Sequence, residues 1–196
     1  ASDVYKRQGK KMSEFRSVEG KVAIVTGAAR GMGRGCAEAM AAEGVHVVIA
    51  DLLPEVHETW KEIKEQFPGN EGYGVQLDVS DEEAVKEMVE GVVKKFGRLD
   101  IIYNNAGMHA GAAHVADTDM KDVDRVLAVN FKGIFHGCKY AARQMRKQGY
   151  GTIVNTGSFL GKVGHAGSAT YGASKGAVHT MTQALALEMA PYHVNV

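Results

Sequence analysis

Tyr171 and Lys175 stand at i,i+4 spacing in a stretch of helical period, so their side chains share one helix face and can meet. A cation beside a phenol favours the phenolate, the form a general base needs. The pair therefore reads as an acid/base centre or as an ordinary surface pair on an amphipathic helix. Ser158 favours the first, because it follows an apolar run at 151–156, where a hydroxyl at the carboxyl end of a strand can hold a reacting oxygen. Asn130 interrupts an otherwise apolar stretch of Val126, Leu127, Val129 and Phe131. An Asn at such a point caps a helix or holds a water beside the lysine.

A second constellation lies near the start of the chain. The segment TGAARGMG at 26–33 follows a β-branched run and opens a helical pattern. Gly27 permits a tight strand-to-helix turn, Gly31 lets the backbone approach a diphosphate, and Gly33 allows close helix–sheet packing. Asp51 closes the next apolar run, where a carboxylate accepts hydrogen bonds from both adenosine ribose hydroxyls and repels a 2′-phosphate. That favours NAD over NADP. Arg30 pulls the other way, either pairing with a 2′-phosphate or standing solvated in the loop, whereas Leu52 supplies no cation beside Asp51. Asp78 and Val79 follow the third run and meet the edge and ring of an adenine, or serve as a cap before Ser80.

The elements that must position these residues alternate strictly. Strands are expected at 21–26, 45–50, 72–77, 99–103 and 151–156, with a sixth opening at 194–196. Helices are expected at 32–43, 55–67, 81–96 and 169–189, with one or two more in 119–148, broken near Val129 and Asn130. Ser80 with Glu83 reads as a capping box for the third helix. Near-continuous apolar strands alternating with helices make the fold class α/β, a Rossmann-like doubly wound parallel sheet with helices on both faces. Ligands bind such sheets outside the carboxyl ends of the strands, where all of the residues above fall.

Taken in order, TGAARGMG at 26–33, Asp51, Asp78-Val79, NNAG at 104–107, Asn130, Ser158 and YGASK at 171–175 resemble the short-chain dehydrogenase/reductase family from about residue 20 to 196. The resemblance implies a nicotinamide cofactor and hydride exchange with a secondary alcohol or ketone, with Tyr171 as general acid/base. Asn130, Ser158, Tyr171 and Lys175 would form the catalytic tetrad. Gly27, Arg30, Gly31, Met32, Gly33, Asp51, Leu52, Asp78, Val79, Asn105, Ala106 and Gly107, with Tyr171 and Lys175, would bind the cofactor. Asp100 would brace the turn after the fourth strand. Met108, His109 and the residues after Ser158 would line a mostly apolar substrate site, suiting a steroid, cyclic alcohol, polyol or ketoacyl chain. Pairing through the helices at 130–148 and 169–189 would give a homodimer or homotetramer. Family members continue past the sixth strand into a substrate lid and a last strand, so a C-terminal segment is expected beyond this sequence.

The composition agrees. At 196 residues, 45% hydrophobic and 23% charged, the chain is expected to form one domain, 20–196, after a disordered basic tail at 1–19 in which Met12 is the expected natural start. Lys+Arg and Asp+Glu balance at 23 each, which argues against a nucleic-acid partner. No apolar run has the length of a membrane span, and the basic start lacks the apolar core of a secretory signal, so a cytoplasmic protein is expected. Cys36 and Cys138 fall in helical segments and read as two reduced, packed thiols. No metal is expected, since His109, His114, His165 and His179 make no ligand set. A serine hydrolase fails because Thr156 occupies the first glycine of the nucleophile elbow. An inactive dinucleotide-binding scaffold or sensor of the same fold would be expected to lose Tyr171 or Lys175, and both are present.

Overall fold

The first strand, β1 (Val22–Thr26), is buried along its whole length, as a run of Val, Ala and Ile covered on both faces must be. Around it pack β2 (His46–Asp51), β3 (Tyr73–Gln76), β4 (Ile101–Asn104), β5 (Gly151–Asn155) and β6 (Val194–Asn195), all parallel, in the order β3-β2-β1-β4-β5-β6. The structure, a computed structural model, describes residues 17–196, so most of the expected N-terminal tail lies outside the described residues. Within them, Val18 packs on the core and the Gly20 N–H donates to the Gly44 carbonyl at 2.9 Å.

Each crossover carries a helix. On one face, α1 (Gly31–Ala42) and α2 (Val56–Gln66) bury Ala37, Ala41, Val56 and Ile63 against Ala23, Val25, Val47 and Ile49. On the other, α3 (Glu82–Phe96), α5 (Ile134–Gln148) and α6 (Ala169–Met189) cover Val22, Ile24, Val48, Ile102 and Ile153. The order reverses between β1 and β4, the switch point at which doubly wound sheets open a crevice. Register pairs Thr26 with Ala50, Asp51 with Gln76, and Asn104 with Asn155, so the five long strands end at one edge. No described helix is long and apolar enough to cross a membrane.

Three local expectations change. The cap of α3 is Asp81, whose carboxylate accepts the Glu83 and Ala84 N–H groups; Ser80 instead donates its own N–H to Asp78 at 2.8 Å. The chain does not break near Asn130. Instead α4 (Met120–Leu127) runs through a π-helical segment, Ala128–Gly133, directly into α5. Asp100 does not brace the turn after β4. It sits at the opposite end of that strand, where its carboxylate accepts the Val22 N–H at 2.8 Å and pairs with Arg98.

Candidate active site

The turn after β1 is built on close contacts. Gly27 is left-handed (φ 66°), and a Cβ there would meet the Ala106 backbone at 2.8 Å. Asn105 locks the turn from the β4 side. Its Nδ2 donates to the Thr26 and Gly27 carbonyls at 3.0 and 3.1 Å, and the Thr26 hydroxyl accepts the Asn105 and Ala106 N–H groups at 3.1 Å. Gly33 packs beneath it, so that a Cβ would stand 2.6 Å from Asn105 Nδ2. Gly31 is the opposite case: left-handed (φ 61°) and facing open space. Its backbone is therefore free to take an anion at the helix start. Arg30, at the N-cap of α1, and Met32, 60% exposed, flank that opening.

Across the turn, Asp51 accepts the Ala29 N–H at 2.9 Å and the Leu53 N–H at 3.0 Å, which fixes its carboxylate at the end of β2. A groove of about 470 Å³ runs over these strand ends. Of the residues expected at a cofactor, Gly27, Arg30, Asp51, Leu52, Asp78, Val79, Asn105, Ala106 and Gly107 line it. Gly31, Met32, Gly33, Tyr171 and Lys175 are not in the lining; the first three form the adjoining start of α1. The sequence reading missed Leu53, Leu77, Ser80, Arg125, Ala128 and Val129, which also face the groove, and Met108, expected in the substrate wall, lines this groove instead. Arg125, Ala128 and Val129 recur at i,i+3,i+4, a signal of one helix face that says nothing about what the face overlooks.

The four expected catalytic residues come from three elements. Asn130, fully buried in the π segment, accepts the Met108 N–H with Oδ1 at 2.7 Å and donates from Nδ2 to the Met108 carbonyl at 2.9 Å and Ser174 Oγ at 3.1 Å. Ser174, which the sequence reading missed, passes a hydrogen bond to the Tyr171 carbonyl at 2.7 Å. Lys175 is 2% exposed and its Nζ donates to the Thr156 carbonyl at 2.7 Å, at the end of β5. Burial pushes the Lys175 ammonium pKa below the usual lysine range. Its Nζ stands 5.9 Å from the centre of the Tyr171 ring, as the i,i+4 spacing requires. Gly107 ties this cluster to the groove, since a Cβ there would meet Asn130 Oδ1 at 3.3 Å and Lys175 Nζ at 3.6 Å.

Ser158 stands on the loop after β5, which lies directly on the start of α6. A Cβ on Gly161 would meet the Lys175 backbone at 2.7 Å, and one on Gly172 the Leu160 carbonyl at 2.8 Å. Ser158 Oγ accepts the Leu160 N–H at 3.2 Å. The His109 ring packs on Tyr171 with centroids 5.0 Å apart. His114 and His165 are exposed loop residues, and His179 packs beneath Gly157.

Beneath the site, Asn104, Cys138, Asn155 and Thr182 form a polar chain, buried at Asn104 and Cys138, that joins β4, β5, α5 and α6. Both thiols are free, as expected. Burial pushes the Cys138 thiol up to about 12, so it carries almost no thiolate at neutral pH. An alkylating reagent is therefore expected to label Cys36 and spare Cys138 in the folded chain, and to label both in denaturant. Labelling of Cys138 in the native protein, seen by peptide mass, would contradict this burial.

Comparison with known proteins agrees with this architecture. The family model for short chain dehydrogenases matches residues 21–196. The 3-oxoacyl-[acyl-carrier-protein] reductase FabG of Thermotoga maritima is 38% identical over 179 residues, covering 91% of this chain and 72% of the relative. The trans-4-hydroxycyclohexanecarboxylate dehydrogenase of Sinomonas cyclohexanicum is 39% identical over 183 residues, covering 90% and 69%. A crystal structure of NAD+-bound xylitol dehydrogenase superposes with a TM-score of 0.88 at 39% identity, over 92% of this chain and 69% of that one. A strand-end groove that abuts a buried lysine at Gly107, with these likenesses across the described fold, places the chain in the short-chain dehydrogenase/reductase family of oxidoreductases.

Proposed function

We propose that this chain carries the hydride-transfer centre of an NAD-dependent dehydrogenase acting on a secondary alcohol or its ketone. The observation that carries the reading is the junction at Gly107, where the groove over the strand ends abuts Asn130 and the buried Lys175. The groove fits a dinucleotide: an open left-handed Gly31 for the diphosphate, Asp51 for the adenosine ribose, Asp78 and Val79 for the adenine, and Asn105 to Gly107 along the path to Lys175. When bound, the nicotinamide exchanges the hydride with the substrate carbon.

The chain's own residues handle the proton. In oxidation Tyr171, as phenolate, takes the hydroxyl proton, and in reduction it returns one to the ketone oxygen. Lys175 stabilises negative charge on that oxygen and reaches the nicotinamide ribose with the donors that Thr156 leaves free. Ser158 holds the substrate oxygen. Both amide hydrogens of Asn130 are already committed, so it meets a relaying water only as an acceptor. Its larger contribution is to fix Met108 and, through Ser174, the turn carrying Tyr171.

The assignment of NAD over NADP rests on Asp51, held by two backbone N–H groups so that it cannot swing from a 2′-phosphate. Thermal unfolding with each cofactor tests it without any substrate. A ligand at about 100 times its dissociation constant stabilises by about 2.7 kcal/mol. NADH is expected to do so at concentrations where NADPH does not; the reverse order would assign the groove to NADP.

The polyol, cyclic-alcohol and ketoacyl chemistry named for the relatives above sets the range of substrates for a first screen. The assembly proposed is a homodimer or homotetramer through α5 and α6. A groove of about 580 Å³ between them presents Phe135, Met181 and Leu185, whereas Ala141 is spent on the sheet. A cytoplasmic location belongs to the same proposal.

A further inference from the structure

His109 is an exposed loop residue, yet both of its degrees of freedom are fixed. Its ring leans on the Tyr171 ring, centroids 5.0 Å apart and planes 44° apart. Its Nδ1 accepts the Gly111 N–H at 2.9 Å. An imidazole nitrogen that accepts a hydrogen bond carries no proton, so the neutral ring must bear its hydrogen on Nε2. Nε2 has no hydrogen-bond partner among the described residues. The result is an oriented, unused N–H donor beside the tyrosine to which the proton transfer is assigned.

His109 also lies outside the groove over the strand ends. Met108 lines the nucleotide groove, whereas its neighbour His109 lines a separate small cavity of about 30 Å³ together with Tyr171, Thr118, Asp122 and Thr170. That is room for one oxygen-sized group, and Thr118, Asp122, Ser168 and Thr170 supply polar atoms to a wall that is otherwise largely apolar. A substrate whose reacting oxygen meets Tyr171 brings its adjacent carbons close to the His109 ring that packs on that tyrosine.

Resting on the alcohol–ketone reading above, we propose that His109 Nε2–H binds a second oxygen of the substrate, on the carbon next to the reacting one or the carbon after it. The substrate class is then diols, hydroxyketones and similarly oxygenated ketones rather than simple alcohols. A donor left unpaired by a plain alcohol discriminates against it, because burying an unmatched N–H disfavours that complex.

The test compares trans-1,2-cyclohexanediol with cyclohexanol, using the ratio of their kcat/KM values so that general damage to the site cancels. Wild type is expected to favour the diol. His109→Phe keeps a ring against Tyr171 and removes the donor, and is expected to lower the ratio about tenfold. His109→Gln restores a donor and is expected to recover part of it. A second readout needs no turnover: imidazole nitrogen NMR of the NADH-bound chain, in which the His109 Nε2 signal should move with the diol and stay with cyclohexanol. A ratio unchanged by His109→Phe, or an Nε2 signal indifferent to the diol, overturns the proposal. Absence of turnover of both alcohols, with the Nε2 signal still moved by the diol, counts against the redox reading and supports the binding role.

Discussion

Tyr171→Phe is expected to lower kcat by about 10³-fold or more while leaving the fold and cofactor binding in place, the upper part of the range for a lost general acid/base. The substitution is unusually clean in this structure. The Tyr171 hydroxyl makes no hydrogen bond among the described residues, and its ring contact with His109 and the Ser174 bond to its main chain both survive in Phe. Thermal unfolding should therefore be unchanged and NADH should stabilise the variant as it does the wild type. Steady-state turnover with the best alcohol of the screen, measured beside that unfolding curve, decides the matter. Residual turnover above about a tenth of wild type would sink the assignment of Tyr171 as the proton-transfer group, and a lost NADH response would instead show a damaged site.

Local pattern carried most of the architecture. Residues 169–189 form the expected helix with its expected ends, and β1 and β2 were legible because burial on both faces demands unbroken apolar runs. The cap of α3 was not legible. Ser80 and Asp81 are both good cap residues, and the choice depends on Asp78, whose carboxylate takes the Ser80 N–H and turns the chain so that Asp81 faces the helix start. Competing caps of similar strength are decided by the approach of the chain, which a local window does not contain.

The site divides along the same line. The residues of the candidate site that stood out in the sequence did so by type and spacing: the glycines of 26–33 by lacking a side chain, and Asp51, Ser158, Tyr171 and Lys175 by carrying one with polar chemistry. Asn130 was visible as an anomaly, but its cause, a side chain clamping Met108 and Ser174 from a π turn, involves partners far apart in sequence. The hold of Thr156 on Lys175 left no trace in the sequence. Thr156 makes it with its main-chain carbonyl, and every residue type has one. Asp100 shows the converse error, since a carboxylate near the right strand was referred to the wrong end of it.

Gly33→Ala is expected to be the most damaging single-methyl change in the nucleotide half of the site. The added Cβ would lie 2.6 Å from Asn105 Nδ2 and 2.8 Å from the Gly27 carbonyl carbon, with the carbonyl oxygen closer still. Neither neighbour can yield cheaply. Asn105 is tied to Thr26 and Gly27, and Gly27 already abuts Ala106, so relief requires α1 to lift from the sheet edge. Overpacking against movable side chains costs about 1–3 kcal/mol, and a clash with fixed backbone belongs at or above the top of that range. Denaturant unfolding should show a loss of about 3 kcal/mol or more, and the stabilisation by NADH should vanish with the displaced turn. Gly31→Ala separates the two effects. Its Cβ meets open space, so only the left-handed backbone resists it, at about 1–2 kcal/mol, yet the methyl would stand in the proposed diphosphate site. That variant should lose no more than about 1–2 kcal/mol of stability, less than Gly33→Ala, and still lose its response to NADH. If Gly33→Ala kept wild-type stability, the close packing of α1 on the turn would be wrong, and with it the placement of the groove that the turn supports.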